Sequence, residues 1–315
     1  MGTAELSCAS LDKLARDEKY SVAAVVTQPD KPRGRDLKLQ PSPVKSLALK
    51  LNLPVLQPGR ARDERFIAEL RALKPDLIVV VAYGQILPQT ILDLPRFGCL
   101  NVHTSLLPKY RGAAPIQWAI ANGETETGVT VMKMDAGLDT GPIVSQRRTA
   151  ILVEDDSATL HDRLARLGAE LLAQTIPDFV AGKIQPAPQP AVGISHAPKI
   201  KKEDGHIDWS LPAKTIRNRL RAFTPWPGAF TGWKPTSNIQ HPTPNIQLLK
   251  IWKAEIIEQS AGAGEILSAD KNGIMVGSGR DALRILELQR EGGRRMNAAE
   301  FLAGHPLKPG DKFEG

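Results

Sequence analysis

The sequence predicts an α/β domain followed by a small all-β domain. Through roughly the first 180 residues, apolar runs alternate with segments of helical spacing, which is typical of a doubly wound, Rossmann-like parallel sheet. A proline-rich stretch then gives way to short apolar runs separated by Gly, Asn or Asp, as in a small β-barrel or sandwich. A chain of 315 residues, 42% hydrophobic, is long enough for two such cores. We predict domains over 1–182 and 206–315, joined by a linker over 183–205.

Three apolar runs have the composition of strands buried on both faces of a sheet. They are SVAAVVTQ (21–28), DLIVVVAYG (76–84) and GCLNVHTS (98–105). TGVTVMKMD (127–135) and PIVSQRR (142–148) predict a final pair of strands.

Four segments between these runs predict helices. SPVKSLALKL (42–51) opens with Ser as N-cap and Pro at the first helical position. RDERFIAELRALK (62–74) has apolar residues at helical spacing, and APIQWAIANG (114–123) ends on glycine. SATLHDRLARLGAELLAQTIPDFVAG (157–182) is a long amphipathic helix.

The rest of the chain has a different pattern. The stretch 183–199 contains four prolines and no periodicity, which is typical of a linker or a segment that wraps a domain. AKTIRNRLRAF (213–223) predicts one helix, and the short apolar runs after it predict strands. We expect Trp209 and Trp226 to pack at the domain junction rather than to stack on bases.

Composition narrows the classes of function. No run reaches the 18 apolar residues of a membrane helix, and we find no secretory signal at the start. The two cysteines, Cys8 and Cys99, are far apart and lack metal-site spacing, so we expect a reducing cytoplasm and no metal. The net charge is +7, and residues 199–315 carry 18 Lys and Arg against 13 Asp and Glu. This bias is compatible with a phosphate-rich partner without requiring one.

The stretch NVHTSLLPKYRG (101–112) is the best candidate for a site. Ligands of open α/β sheets bind beyond the carboxyl ends of the strands, and Asn101 and His103 fall at such an end. Residues two apart on a strand share a face, so the amide and the imidazole converge. Two donors directed at one oxygen would stabilise the oxyanion of an acyl transfer.

A carboxylate is needed to orient or charge the imidazole, and the loop DAGLDTGPI offers two. Asp139 is the first choice, with Gly137 and Gly141 allowing close backbone approach, and Asp135 is the second. Taken alone, Asn-x-His also fits a structural histidine, and the loop fits an ordinary hairpin turn.

The two motifs together resemble a known family. NVHTSLLPKYRGAAPIQWAI followed by TGVTVMKMDAGLDTG closely resembles the folate-dependent formyltransferases. TQPDKPRGRDLKLQPSPVK (27–45), DGHIDWSLPAKTIRNRLRAFTPWPGAF (204–230) and ALRILELQREGGRRMNAAEFLAG (282–304) are similar to the branch that acts on methionyl-tRNA. The resemblance spans almost the whole chain.

This resemblance implies an activity, a site and a co-substrate. The activity is formyl transfer from 10-formyl-tetrahydrofolate to the α-amine of methionyl initiator tRNA. Asn101, His103 and Asp139 would be catalytic. The implied folate contacts are Ser105, Leu106, Leu107 and Pro108, together with Tyr83, Gly84, Ile86 and Leu87.

The resemblance also implies partners. The basic insert DKPRGRDLKLQ (30–40) would reach the acceptor stem of the tRNA, and the second domain would be an OB-type β-barrel that binds tRNA. The family further suggests a cytoplasmic monomer without a membrane partner. The implied tRNA contacts are Arg33, Arg35, Lys38, Lys201 and Arg217.

The sequence departs from the family at its start. The family opens with an apolar strand that runs into a Gly-Thr element, whereas this chain begins with that element as MGTAELSCASL. Because this strand is central in the sheet, we expect unpaired backbone groups in its place. Either Met1 is an internal methionine of a longer protein, which we favour, or another segment fills the gap.

Other functions remain open. One is a folate-dependent formyltransferase acting on a nucleotide sugar or on glycinamide ribonucleotide. Another is a nucleic-acid-binding protein without catalysis. A hydrolase built on Ser105 is disfavoured because the chain has no G-x-S-x-G motif, and no Walker or G-x-G-x-x-G loop indicates a nucleotide cofactor.

Overall fold

The computed structural model describes residues 1–33, 38–234 and 246–314 and divides into two compact units. Unit 1 comprises Met1–Pro115, Thr125–Ile151 and Thr159–Pro198. Unit 2 comprises Ile116–Glu124, Leu152–Ala158 and Lys199–Gly315. The domain boundaries inferred from composition stay a prediction.

The first sixteen elements, in chain order, are α1 (Leu6–Ala15), β1 (Val25–Val26), β2 (Lys31–Arg33), β3 (Lys38–Gln40), α2 (Pro43–Lys50), β4 (Val55–Leu56), α3 (Glu64–Ala72), β5 (Ile78–Val80), α4 (Gln89–Leu92), β6 (Cys99–His103), β7 (Arg111–Gly112), α5 (Pro115–Ala121), β8 (Glu126–Lys133), β9 (Ile143–Ala150), α6 (Ser157–Val180) and β10 (His196–Ala197). Within this part of the chain, no helix is long and apolar enough to cross a membrane, and the same holds for the other described residues.

Strands and helices alternate in unit 1, and parallel pairs are present, which confirms the α/β class. β1 pairs with β4 and β5 with β6, both in parallel. β8 runs antiparallel to β6 and to β9, so the sheet is mixed. For β8 and β9 the physical reason is their short connection, residues 134–142, which is too short for the crossover that parallel strands need.

The helix signals in the sequence have the expected local basis. Ser42 caps α2 by accepting a hydrogen bond from the Lys45 amide, and Pro43 is the first helical residue. Asp63 caps α3, whose Phe66 and Leu70 are buried in the core beside β5. The core thus forms on the faces that periodicity predicted.

Met1 and Gly2 lie between β1 and β5, where the sequence analysis expected a missing strand. The Gly2 amide donates to Val26 O (2.9 Å), and the Met1 amine donates to Val79 O (2.6 Å). Beyond them is a cavity of about 870 Å³. The backbones of Ala24 and Leu77, which line it, make no hydrogen bond within the described residues.

Unit 2 is built around an antiparallel sheet. Its strands lie in the order β11-β12-β15-β14-β13, with β16 paired to β15. Segment 311–314 bonds to both sides of the sheet: Glu314 exchanges two bonds with Gly232 of β11, and Asp311 O accepts from Ile266 N of β13. The elements are a 3₁₀ turn (Lys202–Gly205), α7 (Ala213–Ala222), β11 (Ala229–Trp233), β12 (Gln247–Ile257), β13 (Ile266–Asp270), β14 (Gly273–Gly277), β15 (Ala282–Arg290), β16 (Arg295–Asn297) and α8 (Ala298–Gly304).

The two tryptophans differ in their surroundings. Trp209 is buried in the core of unit 2, and its indole N–H donates to Thr231 Oγ1 (3.0 Å). Trp226 is 57% exposed, so the expectation that it packs is wrong. It lies between Pro225 and Pro227 in the turn after α7, outside any helix or strand, so it is not on the buried face of an element.

Candidate functional site

Asn101 and His103 lie on one face of β6, where the sequence analysis placed them. β6 runs between β5 and β8, with Asn101 paired to Val80 and Met132 and His103 paired to Thr130. The His103 side chain is buried, with 6% exposed. The Asn101 side chain is half-buried. Its amide has no hydrogen-bond partner among the described residues, so it is available to a substrate.

The loop after β8 brings Asp139 to the imidazole. Asp139 Oδ2 lies 3.7 Å from His103 Nδ1 and accepts a hydrogen bond from the Gly112 amide (2.8 Å). His103 Nε2 lies 2.9 Å from Tyr110 O. A carbonyl can only accept, so Nε2 carries a proton, and Nδ1 is the nitrogen presented to Asp139. The distance of 3.7 Å exceeds a hydrogen bond, which leaves Nδ1 able to bond a substrate atom.

Asp135, the second choice for this role, does something else. Its Oδ1 accepts from the Gly137 amide (3.0 Å) and from Thr140 Oγ1 (2.7 Å), which closes the turn that carries Asp139. Asp139 itself has φ +53°, a left-handed conformation that non-glycine residues rarely adopt. The turn therefore holds a strained residue in place beside the imidazole.

The segment Ser105–Pro108 is fixed by its own polar groups. The Ser105 side chain is fully buried, and its hydroxyl donates to Lys109 O (2.6 Å). Thr130 Oγ1 donates to Ser105 O (2.7 Å) and accepts from the Leu107 amide (3.1 Å). Since the Ser105 hydroxyl is engaged in this way, the structure offers no serine nucleophile here.

The predicted folate contacts at residues 83–87 lie partly in the core and partly at the surface. The Tyr83 and Leu87 side chains are in the hydrophobic core, whereas Ile86 is 85% exposed. Gly84 has φ +79°, and a Cβ there would meet Gln28 Nε2 at 2.6 Å. Burial raises the pKa of Tyr83, whose hydroxyl is enclosed with no described hydrogen-bond partner. A co-substrate at this edge would thus meet the Ile86 side chain and the Gly84 backbone.

Gln189, which sequence reasoning missed, ties the two loops of the site together. Its amide nitrogen donates to Asp139 O and Gly141 O, both at 2.8 Å. Its amide oxygen accepts from Arg111 Nη2 (2.7 Å) and Nε (3.1 Å). Gln189 lies in the stretch predicted as linker, and a single glutamine among prolines carries no sequence signal.

The same stretch also supports the carbonyl that holds His103. Ser195 Oγ accepts from the Tyr110 amide (2.9 Å), and Ser195 O accepts from the Arg111 amide (2.9 Å). β10 then pairs in parallel with β7. Segment 187–197 therefore belongs physically to the site.

The predicted nucleic-acid contacts have mixed surroundings. Arg35 lies outside the described residues, as does the side chain of Arg33. Lys38 and Lys201 are exposed. Arg217 is mostly buried and faces Glu154 Oε1 (3.6 Å) within unit 2, so part of its charge is already paired.

Comparison with known proteins identifies the family. Residues 1–176 match the model of the formyl transferase family, and residues 199–306 match that of the formyl transferase C-terminal domain. A methionyl-tRNA formyltransferase of Caldanaerobacter subterraneus subsp. tengcongensis is 50% identical over 98% of this chain and 97% of its own length. The corresponding enzyme of Trichlorobacter lovleyi is 49% identical over 98% of this chain and 94% of its own. This chain belongs to the methionyl-tRNA formyltransferase family.

Solved structures show the formyltransferase fold. An N-formyltransferase from Helicobacter canadensis, in complex with folinic acid and dTDP-3-aminofucose, has a TM-score of 0.62 at 20% identity and covers 90% of this chain and 97% of its own. HypX from Aquifex aeolicus, in complex with tetrahydrofolic acid, has a TM-score of 0.57 at 21% identity and covers 86% of this chain and 47% of its own. Within the described residues, no group of three or more His, Cys, Asp or Glu could hold a metal ion.

Proposed function

We propose that this member of the methionyl-tRNA formyltransferase family transfers a formyl group from 10-formyl-tetrahydrofolate to the α-amine of methionyl initiator tRNA. One observation carries the chemistry: Asp139 lies 3.7 Å from His103 Nδ1, on the face of β6 that also bears Asn101. The acceptor is supported by relatives that are 49–50% identical across 98% of the chain.

The residues of the site would act as follows. The co-substrate supplies an activated formyl group, whose oxygen gains negative charge when the amine attacks. The Asn101 amide donates to that oxygen, and protonated His103 Nδ1 is the second donor. Asp139 stabilises the charge on the ring and assists the proton that moves from the incoming amine toward the leaving folate nitrogen.

The fixed loop 105–108 and the exposed surface at Gly84 and Ile86 would hold the folate. An apolar wall with few polar groups suits a flat pterin ring. The half-buried Asn101 side-chain amide, which has no hydrogen-bond partner among the described residues, is a polar group that such a ligand could satisfy.

We also propose that the tRNA contacts the insert at residues 30–40 and unit 2, through Arg33, Arg35, Lys38, Lys201 and the outer part of Arg217. Segment 311–314, which bonds to both β11 and β13, supports an OB-type barrel in unit 2. A cytoplasmic monomer is part of the proposal, and the two free cysteines are compatible with a reducing compartment.

The experiment is a transfer assay with purified protein, 10-formyl-tetrahydrofolate and methionyl initiator tRNA, which should give formyl-methionyl-tRNA. Methionyl elongator tRNA is the control and should be a poor acceptor. Transfer to a dTDP-aminosugar but not to methionyl-tRNA would replace the proposal with the nucleotide-sugar alternative, and RNA binding with no transfer would replace it with the non-catalytic one.

A further inference from the structure

The outward face of the unit 2 sheet carries an unusual row of side chains. Strand pairing places four residues directly beside one another across four strands. They are Phe230 of β11, Lys250 of β12, Gln289 of β15 and Arg295 of β16. The neighbouring row of Ala229, Ile251 and Leu288 is almost fully buried in the core. Alternation along the strands therefore puts the Phe230 row on the opposite face.

Aromatic rings and cations are interleaved on this face. The Arg295 guanidinium carbon lies 5.3 Å from the centre of the Trp252 ring, and Lys250 Nζ lies 5.8 Å from it. At the other end of the row, His206 meets Phe230 edge-on with ring centres 5.5 Å apart. Cations at these distances are attracted to the ring face, so the charges are held beside the rings.

Hydrogen bonds fix the arrangement before any ligand arrives. The Trp252 indole N–H donates to Gln289 Oε1 (3.0 Å), which sets the orientation of the ring. Lys250 Nζ donates to Pro227 O (3.3 Å), which joins the row to the turn that exposes Trp226. A rigid platform loses little conformational entropy when a ligand binds.

We propose that this aromatic–basic face, formed by Trp226, Phe230, Lys250, Trp252, Gln289 and Arg295, binds unpaired nucleotides of the tRNA by stacking. The inference rests on the proposed function, which supplies an RNA partner, and adds a place for its single-stranded part. Bases stack on aromatic rings and on guanidinium planes, while cations of the same surface pair with phosphates. Glu287, which pairs with Arg295 Nε (2.6 Å), leaves the guanidinium plane as the stacking surface.

The test measures binding of a single-stranded RNA hexanucleotide of mixed sequence, with an RNA duplex of equal length for comparison. Trp226→Ala should weaken hexanucleotide binding about tenfold, because one stacking ring is lost. Trp226→Phe should stay within about threefold of the parent protein, since a ring remains. Arg295→Ala should weaken binding because a guanidinium stacking plane is lost. Lys250→Ala should lower the slope of log K against log salt by about 0.7, as expected for one lost phosphate contact. Thermal unfolding checks that each variant is folded.

Lys271→Ala is the matched control, since it removes one exposed positive charge from the β13–β14 turn of the same sheet. It should leave hexanucleotide affinity within about twofold, since it removes no stacking surface. Equal binding by Trp226→Ala and the parent protein, or tighter binding of the duplex than of the single strand, would overturn the inference. Formyl transfer to methionyl-tRNA by the parent protein in the same experiments separates this failure from failure of the proposed function.

Discussion

The two strand ends that form the candidate site hold their polar groups in different ways. Around the end of β6, buried and half-buried polar groups have partners: Ser105, Thr130 and Gln189 each use both donor and acceptor atoms. Beyond β5, the Tyr83 hydroxyl is buried with no hydrogen-bond partner among the described residues, and the Ile86 side chain is 85% exposed.

The difference separates the two tasks proposed for the site. The candidate catalytic groups lie on β6 and on loops fixed by their own hydrogen bonds, so this region is preorganised for the proposed chemistry. The stretch beyond β5 leaves a surface on which the folate could bind. Substitutions around the end of β6 should therefore lower kcat more than they change KM for the folate.

The largest effect is expected at the site. Asp139→Ala should lower kcat on the order of 10²–10³-fold, because the charge that stabilises protonated His103 is lost. Asp135→Ala, the matched control four residues earlier in the same loop, should lower kcat less than about tenfold, since it only loosens the turn. Steady-state formyl transfer measures both, and a larger loss in Asp135→Ala would exchange their assignments.

A smaller effect is expected at Gln189, which holds the carbonyls of Asp139 and Gly141. Gln189→Ala should lower kcat about tenfold with little change in KM for the folate, because the carboxylate loses its fixed position. Gln185→Ala, four residues earlier, loses only a bond to Gly182 O and should keep the parent kcat. If Gln189 acts through Asp139, Gln189→Ala should lower kcat no further when it is added to Asp139→Ala. A double variant whose loss in kcat is the product of the two single losses would refute that role.

Sequence reasoning predicted the positions of the candidate residues better than the contacts that hold them, while their catalytic roles stay a prediction. The shared face of Asn101 and His103 was predictable because side chains along a strand have a two-residue period, and the position of Asp139 because the glycines beside it mark a loop of close approach. The sequence predicts the first strand over 21–28, whereas β1 spans only Val25–Val26. An apolar run does not show whether a neighbouring strand is present to pair with all of it. Gln189 and Ser195 were missed because their roles depend on three-dimensional contacts with loops 50 to 85 residues away.

The account depends most on the imidazole, so its direct test is single-turnover formyl transfer to methionyl initiator tRNA by His103→Ala with both substrates saturating. We expect a rate on the order of 10²–10³-fold below that of the parent protein, with folate still bound, because one of two donors to the developing oxyanion is gone. A rate equal to that of the parent protein would contradict the assignment of Asn101, His103 and Asp139 as the reacting set.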